Sequence, residues 1–557
     1  MSKLNKLAPV VHEWIAADPS ESDRGELLDL LARAENDAEA LAELEDRFAG
    51  TLQFGTAGLR GEMAAGPNRM NVAVVRRAAA GLVAWLKDTF ADPVVVIGFD
   101  ARYNSAQFAR DTAAIVAAAG GKALLMPREL PTPLLAYAVR KLGADAGVMV
   151  TASHNPPRDN GYKVYLGGRA VEEEGKGVQI ISPVDSQIAE KIAAAPPANE
   201  VPMADGWDVL DETIVEDYIS DTLTLTADGP RDLKIVYTAM HGVGNALVEP
   251  LLTQAGFTIV PVATQIDPDP DFPTVAFPNP EEKGALDEAI ATAERVGADI
   301  IIASDPDADR CSAAIPTPHG WRQLSGDEIG SILGEQVAAQ TAARGGSGTL
   351  ASSIVSSQLL EQIAAHHGLD YAATLTGFKW IARAPEIIFG YEEAIGYCVH
   401  PNLVKDKDGV SAALTIAITA AAAKAQGRTL QDTLDELALR HGVYHTAPVT
   451  IRVDDLSIMP ATMAKVRATP PSELLGIPVA RVEDLVEGSA DLPPTDALRI
   501  LTAEGDRVIV RPSGTEPKVK CYLEVIVPVT GDLDSARTEA DERMERFKAD
   551  VREMLSL

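Results

Sequence analysis

The chain has 557 residues, too many for one ordinary domain of about 150 residues. Lys+Arg 49 against Asp+Glu 81 leaves a formal net charge of −32, so the average surface repels nucleic acid and anionic membrane. With 46% hydrophobic and 23% charged residues, the acidity belongs to a folded globular protein, and three scattered cysteines (Cys311, Cys398, Cys521) exclude a disulfide framework or a CxxC metal site, as expected of a reducing, cytoplasmic setting.

The N-terminal MSKLNKLAPVVHEWIAADP carries charges and a proline where a secretory signal needs an unbroken apolar core, so no export signal is expected. Beyond it, β-branched apolar runs alternate with alanine-rich helical segments three times, the pattern of βαβ units in a mostly parallel sheet. The first copy predicts strands at Val94–Phe99, Ala123–Met126 and Gly147–Val150 with helices at Ser105–Ala119 and near Leu134–Leu142; its last strand runs into TASHNP. The second predicts strands at Leu233–Tyr237, Phe257–Val262 and Asp299–Ala303 with helices at Ala246–Ala255 and Gly284–Val296, and ends in SDPDADR. The third predicts strands at Thr349–Val355, Tyr371–Leu375 and Glu386–Phe389, a helix near Leu359–His366 and a helical turn around Phe378–Arg383, and ends in GYEEAIGY. The copies share layout more than residues. The apolar stretch Gly409–Ala423 ends at Lys424, short of the roughly 18–20 residues that span a bilayer, and predicts a buried helix.

The C-terminal region predicts a strand at Val449–Val453, a polar Pro-rich stretch around Pro470–Pro494, and a hairpin of Leu498–Leu501 and Arg507–Val510 across Ala503–Asp506. RPSGTEPK, an alternating Val519–Val527 and a charged helix near Ser535–Leu555 complete a small α+β domain. The expected fold is α/β in four domains, with boundaries near 220, 325 and 440: residues 1–220, 221–325, 326–440 and 441–557. In open α/β sheets ligands sit beyond the carboxyl ends of strands. Three such ends carry TASHNP, DPDADR and GYEE.

Asp305, Asp307 and Asp309 stand at alternate positions directly after a buried strand, where unneutralised carboxylates repel one another and a hard divalent cation relieves the repulsion. A solvated acidic turn is the plainer reading of the same residues, and no glutamate stands at the twelfth position for an EF-hand. In TASHNPP, Pro156 and Pro157 stop any helix, which predicts an exposed Ser153 at the tip of a turn. The adjacent Ser153–His154 pair reads by itself as turn chemistry, because sequence neighbours seldom make a nucleophile–base contact, and no GxSxG elbow is present. Lys163, in DNGYKVY, adds a cation that could meet a phosphate.

Arg511, Ser513, Gly514, Thr515 and Lys518 supply a guanidinium fork, hydroxyls, close backbone approach and a cation, the donor set that suits a phosphate dianion; the loop also reads as a Pro/Gly turn, and no Walker A loop is present. Glu392 and Glu393 offer acceptors for sugar hydroxyls, or a helix-start acidic pair. Phe54–Gly61 is glycine-rich with one arginine, Arg60, and lacks dinucleotide spacing.

Taken together, TASHNP, DPDADR, GYEEAIG and RPSGTEP, in that order from Ser153 to Lys518, resemble the α-D-phosphohexomutase superfamily over nearly the whole chain. The resemblance implies four domains around a central cleft, the first three with similar α/β topology. It implies an intramolecular phosphotransferase that interconverts sugar 1-phosphate and 6-phosphate, of glucose or mannose, through a phosphoserine and a bound bisphosphate. By the same resemblance Ser153 is the phosphorylated serine, and Asp305, Asp307 and Asp309 with a phosphoserine oxygen hold Mg²⁺. Arg60, His154, Lys163 and Arg310 surround the transferred phosphoryl group, Lys407 matches a general acid of some members, Glu392 binds sugar hydroxyls, and Arg511, Ser513, Gly514 and Thr515 clamp the other phosphate.

A sugar bisphosphate is the implied activator and intermediate. The implied partners are small sugar phosphates, without nucleic acid or membrane, on a monomer or homodimer. Ala394 departs from the pattern, standing where hexose-specific members often carry serine. FGYEEAIGY and GFKWI look more like the branch with phosphopentomutases and bisphosphate-sugar synthases. Two further readings are a phosphohydrolase with Asp305 as nucleophile and a non-catalytic sugar-phosphate sensor. An anionic substrate on an acidic protein requires Arg60, Lys163, Arg310, Lys407, Arg511 and Lys518 to oppose the net charge locally.

Overall fold

The computed structural model describes residues 3–55, 58–226, 228–452, 458–512 and 518–555. The chain forms two compact units, Met1–Gln323 with Gly396–Ala421, and Leu324–Ile395 with Ala422–Leu557.

In the first unit, Val94–Phe99 lies between the parallel strands Lys122–Leu125 and Ala146–Val150. Apart from the exposed Lys122 and the half-buried Val94, the residues of these three strands are apolar and buried on both faces, as a helix-covered parallel sheet requires. Asp159–Leu166 runs antiparallel to Ala146–Val150 and carries Leu59–Glu62 on its far edge. A second sheet repeats the plan: Lys234–Thr238 lies between parallel Thr258–Pro261 and Ile300–Ser304, and Cys311–Thr317 returns antiparallel to Ile300–Ser304. The predicted strands and crossover helices of these two copies stand within a few residues of their expected places.

Three N-terminal helices and one strand of this unit go beyond the sequence reading. Helices Lys3–Ala17, Glu21–Arg33 and Ala38–Arg47 enclose their own core of Val11, Leu27, Leu30, Ala34, Ala40 and Leu44. Asp159–Leu166 holds Lys163 in a sheet and not in a loop. The alanine-rich stretch forms the helix Gly409–Ala425, its start capped by Asp408 Oδ1 accepting from the amides of Val410 and Ser411. No helix among the described residues is long and apolar enough to cross a membrane.

In the second unit, Thr349–Ser353 lies between parallel Asp370–Thr374 and Ile387–Glu392, the third instance of the plan. The C-terminal sheet is antiparallel: Val443–Arg452, Lys518–Val527, Arg507–Pro512, Leu498–Thr502, Ile477–Asp484 and Glu473–Leu474 neighbour one another in that order. The expected hairpin turns at Gly505, whose φ of 94° is glycine territory. The stretch read as polar and Pro-rich contributes the strand Ile477–Asp484, in which no residue is fully buried. Helix Leu533–Leu555 buries Ala540, Met544, Phe547 and Val551 against this sheet.

Gly242 sits where the second sheet's first crossover meets the aspartate loop. A Cβ there would stand 2.2 Å from Pro306 Cα and 2.3 Å from its carbonyl oxygen, and neither backbone has room to yield. Gly242→Ala is expected to lower stability by about 1–3 kcal/mol, the usual range for overpacking, seen as a reduced melting midpoint in calorimetry.

Candidate active site

Each of the three similar sheets places a loop after the third strand of its plan, and each loop turns on a non-glycine residue with positive φ: Ser153 (52°), Ala308 (53°) and Ile395 (53°). Such backbone is sparsely populated and persists where its surroundings over-determine it. The loops so aimed are TASHNP, DPDADR and EEAI.

In the first unit these turns bring Ser153 onto the aspartate loop. Ser153 Oγ donates to Asp305 Oδ2 at 2.7 Å and lies 3.1 Å from His154 Nδ1. This corrects two expectations. Ser153 is not an exposed tip but retains only 2% of its surface, because the loop folds inward over Arg102 and under the aspartates. The serine–histidine neighbours do touch, because the left-handed residue bends both side chains to the same side.

Asp305, Asp307 and Asp309 are 0–1% exposed, and one oxygen from each lies within 4.8 Å of the others. A solvated acidic turn is therefore excluded. Lys163 Nζ donates to Asp307 Oδ2 (2.8 Å) and Asp309 Oδ2 (3.0 Å), and Lys407 Nζ stands 3.1 Å from Asp309 Oδ2. Arg310 contributes its amide to Asp305 Oδ1 (3.1 Å) and its Nε 3.8 Å from Asp309 Oδ1. Arg60, on the strand Leu59–Glu62, donates from Nη1 to Asn155 Oδ1 at 3.1 Å, beside the serine.

Burial, then the charges of Asp307 and Asp309, pushes the Asp305 carboxyl well above the carboxylate range. Burial acts the same way on the other two, but Lys163 holds Asp307 low, and Lys163 and Lys407 hold Asp309 low against burial and the charge of Asp307. His154 is pushed well below the usual imidazole value by burial and by Arg310 and Arg60, so it is neutral at pH 7.

The cluster fits a hard cation. Asp307 Oδ1 and Asp309 Oδ1 are buried and accept no hydrogen bond among the described residues, a costly state for carboxylate oxygens unless a cation meets them. All-oxygen donors suit magnesium or calcium over softer metals.

Sequence reading missed Thr132, whose hydroxyl donates to Asp307 Oδ2 (2.6 Å) and whose amide donates to Asp307 O (2.9 Å). It also missed Arg102, whose guanidinium binds carbonyls of the serine loop. Arg102 stands just past the carboxyl end of Val94–Phe99, so the strand-end rule applied to that strand would have reached it.

In the second unit, Glu392 ends the strand Ile387–Glu392 and is 7% exposed. Glu393 Oε2 accepts from Ser353 Oγ (3.0 Å) and Ser356 Oγ (3.1 Å), so its carboxylate is engaged by the protein. The pair terminates a strand and does not start a helix. Arg511 lies on Arg507–Pro512 opposite Lys520, and Lys518 begins the next strand. The charges of Glu393, Arg511 and Glu392 all reach the Tyr522 hydroxyl, which burial first and then Glu393 push up to about 12. Ser513, Gly514 and Thr515 lie outside the described residues.

Sequence profiles of phosphoglucomutase/phosphomannomutase match along the chain: α/β/α domain I at residues 51–197, domain II at 216–319, domain III at 325–440 and the C-terminal domain at 449–526. A protein described as probable phosphomannomutase of Haemophilus influenzae is 46% identical over 477 residues, covering 85% of this chain and 96% of its own. The chain belongs to the phosphoglucomutase/phosphomannomutase family. A Saccharomyces cerevisiae phosphoribomutase, another relative, is 36% identical over 561 residues, 86% of this chain and 87% of its own. The open-form crystal structure of Paramecium parafusin, a phosphoglucomutase, shares the fold at TM-score 0.69 and 18% identity, over 91% of this chain and 96% of that one.

Two outcomes follow from the geometry of these clusters. Lys163→Met leaves Asp307 and Asp309 short of a buried cation, and is expected to destabilise the metal-free protein by about 3–5 kcal/mol. Added Mg²⁺ should then raise the melting midpoint of the variant more than that of the wild type, read by calorimetry with and without chelator. Glu393 is raised from 4.5 to about 7, by burial and then by Glu392 and Asp327. The folded state therefore binds this proton more tightly than the unfolded chain. The stabilisation is complete below pH 4.5 and is lost as pH rises through about 7. Stability by urea titration should fall by about 1–3 kcal/mol across that window, and Glu393→Gln should flatten the fall.

Proposed function

We propose that the protein is a phosphosugar mutase in which Ser153 carries the transferred phosphoryl group. The observation that carries this reading is Ser153 Oγ, buried at 2.7 Å from Asp305 Oδ2 and 3.1 Å from His154 Nδ1, against a three-carboxylate cluster ringed by Arg60, Lys163, Arg310 and Lys407. Four cations facing three carboxylates reverse locally the sign of a chain whose net charge is −32, so an anionic substrate is drawn to this site.

In the forward half-reaction the Oγ–P bond of phospho-Ser153 breaks and a P–O bond to the free terminal hydroxyl of a sugar 1-phosphate forms. The hydroxyl proton passes by way of His154 to the departing Ser153 Oγ, and a bound bisphosphate results. In the return half, the bond between the anomeric oxygen and its phosphorus breaks as Ser153 Oγ attacks that phosphorus; the anomeric oxygen ends as a hydroxyl, and Ser153 Oγ gives up its proton to a base. His154 is the neutral nitrogen in hydrogen-bond reach of Oγ and takes that role. Lys163 and Lys407, held as ammonium groups by Asp307 and Asp309, stabilise charge in place of accepting protons. Asp305, Asp307, Asp309 and a phosphoserine oxygen would hold Mg²⁺, which supplies charge neutralisation at the transferring group. A sugar bisphosphate would prime Ser153.

On the second unit, Glu392 is assigned to sugar hydroxyls, with Glu393 beside it. Arg511 and Lys518, with Ser513, Gly514 and Thr515, are assigned to the phosphate that does not transfer. The four domains are taken as residues 1–220, 221–325, 326–440 and 441–557.

For the sugar, a hexose 1-phosphate of glucose or mannose is favoured by the 46% relative described as a phosphomannomutase. A pentose 1-phosphate is the second reading. It is favoured by Ala394, which offers no hydroxyl beside the glutamates, and by the phosphoribomutase at 36% identity.

Turnover of glucose, mannose, ribose and deoxyribose 1-phosphates with Mg²⁺ and a bisphosphate primer, beside Ser153→Ala, tests the assignment. One dominant sugar and a variant reduced by about 10⁴-fold or more are expected, since removing a covalent nucleophile disables the whole pathway. Release of inorganic phosphate alone, with acid-labile phosphate on Asp305, would make the protein a phosphohydrolase. Ligand binding without turnover in wild type would make it a sensor.

A further inference from the structure

The carbonyl oxygens of Ser153, Asn155, Pro156 and Asp159 all point to one guanidinium. Arg102 Nη2 donates to Ser153 O and Asn155 O, both at 2.6 Å, and Nη1 donates to Pro156 O (2.8 Å) and Asp159 O (3.0 Å). These four acceptors begin and end the loop that carries the serine, so one planar group ties its two halves together. The arginine is itself fixed. It is 4% exposed, its amide donates to Asp100 Oδ1 at 3.0 Å, its Nε lies 3.5 Å from Asp100 Oδ2, and Phe272 lies against the guanidinium with Cζ 5.0 Å from the ring centroid. Asp100 is held in turn by Ser105 Oγ at 2.6 Å.

Four converging carbonyls present the negative ends of four peptide dipoles in a buried place, and only a cation with several donors in fixed directions satisfies them. Arginine offers five donors in a rigid fork, whereas lysine offers three on one atom. The need is sharpest at Ser153, whose φ of 52° is unfavourable for a serine and must be imposed by its surroundings. Phe272 belongs to the segment that follows the strand Thr258–Pro261 of the second sheet, so the same guanidinium also registers the serine loop against the sheet bearing the aspartates.

We propose that Arg102 is a positioning residue for phosphoryl transfer: through the carbonyls of Ser153, Asn155, Pro156 and Asp159 it holds Ser153 Oγ in the orientation from which phosphate passes to a sugar hydroxyl and not to water. The inference rests on the phosphoserine mutase reading. Arg102 hydrogen-bonds the Ser153 carbonyl and not Ser153 Oγ or the aspartate cluster, and reaches the serine loop through its backbone carbonyls.

The test uses the full chain carrying Arg102→Lys or Arg102→Met, each checked for folding by circular dichroism and melting midpoint, with the best substrate of the panel, Mg²⁺ and glucose 1,6-bisphosphate. For Arg102→Met, kcat is expected to fall about 100-fold, the scale of a misplacement near 1 Å, with KM changed by less than about threefold. Inorganic phosphate released per isomerisation event should rise, since a displaced phosphoserine is open to water. Arg102→Lys should recover part of kcat and part of the partition.

A folded Arg102→Met protein with wild-type kcat and partition overturns the proposal, as does a loss of activity that tracks only the unfolded fraction. Should Arg102→Met fail to fold, Phe272→Leu removes the ring under the guanidinium while leaving its hydrogen bonds in place. It is expected to raise phosphate release per turnover about threefold, in keeping with one cation–π contact, and no rise overturns the proposal. Failure of the mutase reading itself would register separately, as undiminished activity in Ser153→Ala.

Discussion

Three carboxylates with almost no access to water cannot stand 4.8 Å or less from one another without positive charge around them, and much of the first unit follows from that requirement. The hydrogen-bond donors and cations that meet these carboxylates come from distant parts of the chain. Thr132 begins a helix, Ser153 lies in a loop, Lys163 sits in mid-strand, and Lys407 comes from the segment returning after residue 395. Each reaches Asp305, Asp307 or Asp309. The argument for assembling these segments also bears on the proposed chemistry: cations that neutralise a metal-ready cluster would stabilise a phosphoryl group placed against it.

The sheets explain how such a cluster is presented. A strand flanked by two parallel neighbours leaves its crossovers on the faces and its third-strand loop free at the carboxyl end. The same plan occurs with Ala146–Val150, Ile300–Ser304 and Ile387–Glu392, and each time a non-glycine residue in the left-handed region turns the chain sharply after the strand. Strain at Ser153, Ala308 and Ile395 is offset by dense bonding around it. At Ser153 the bonding is the Arg102 fork and the Thr151 hydroxyl, which accepts from the Ser153 amide at 2.9 Å. A loop held this firmly presents the Ser153 oxygen in a preorganised position.

The second unit works by a different device. Glu524 accepts from Ser357 Oγ and Gln358 and pairs with Arg507 at 3.0 Å, while Arg507 also donates to Ser356 O. Ser356 in turn holds Glu393. The antiparallel C-terminal sheet, through Arg507, is thereby tied to the loop that ends in the glutamate pair. Arg511 stands on that strand four residues along, on the same face as Arg507 by the alternation of a β-strand.

The sequence alone determined the βαβ rhythm, the strand-end placement of the three candidate loops and the alternate spacing of the acidic triad, because hydrophobic period and alternate spacing are local properties written into consecutive residues. The antiparallel strands Asp159–Leu166 and Ile477–Asp484 and the N-terminal helices were less legible: polar residues interrupt the second strand, and the helices bury few apolar side chains each. Only the tertiary structure decided that Ser153 is buried, that His154 touches it, that Lys163 and Lys407 converge on Asp309, and that Arg102 binds the serine loop. Pro156 and Pro157 announce a turn, but which way it folds depends on acceptors and charges from segments between about fifty and two hundred and fifty residues away in the chain, and no local pattern encodes that long-range electrostatic match.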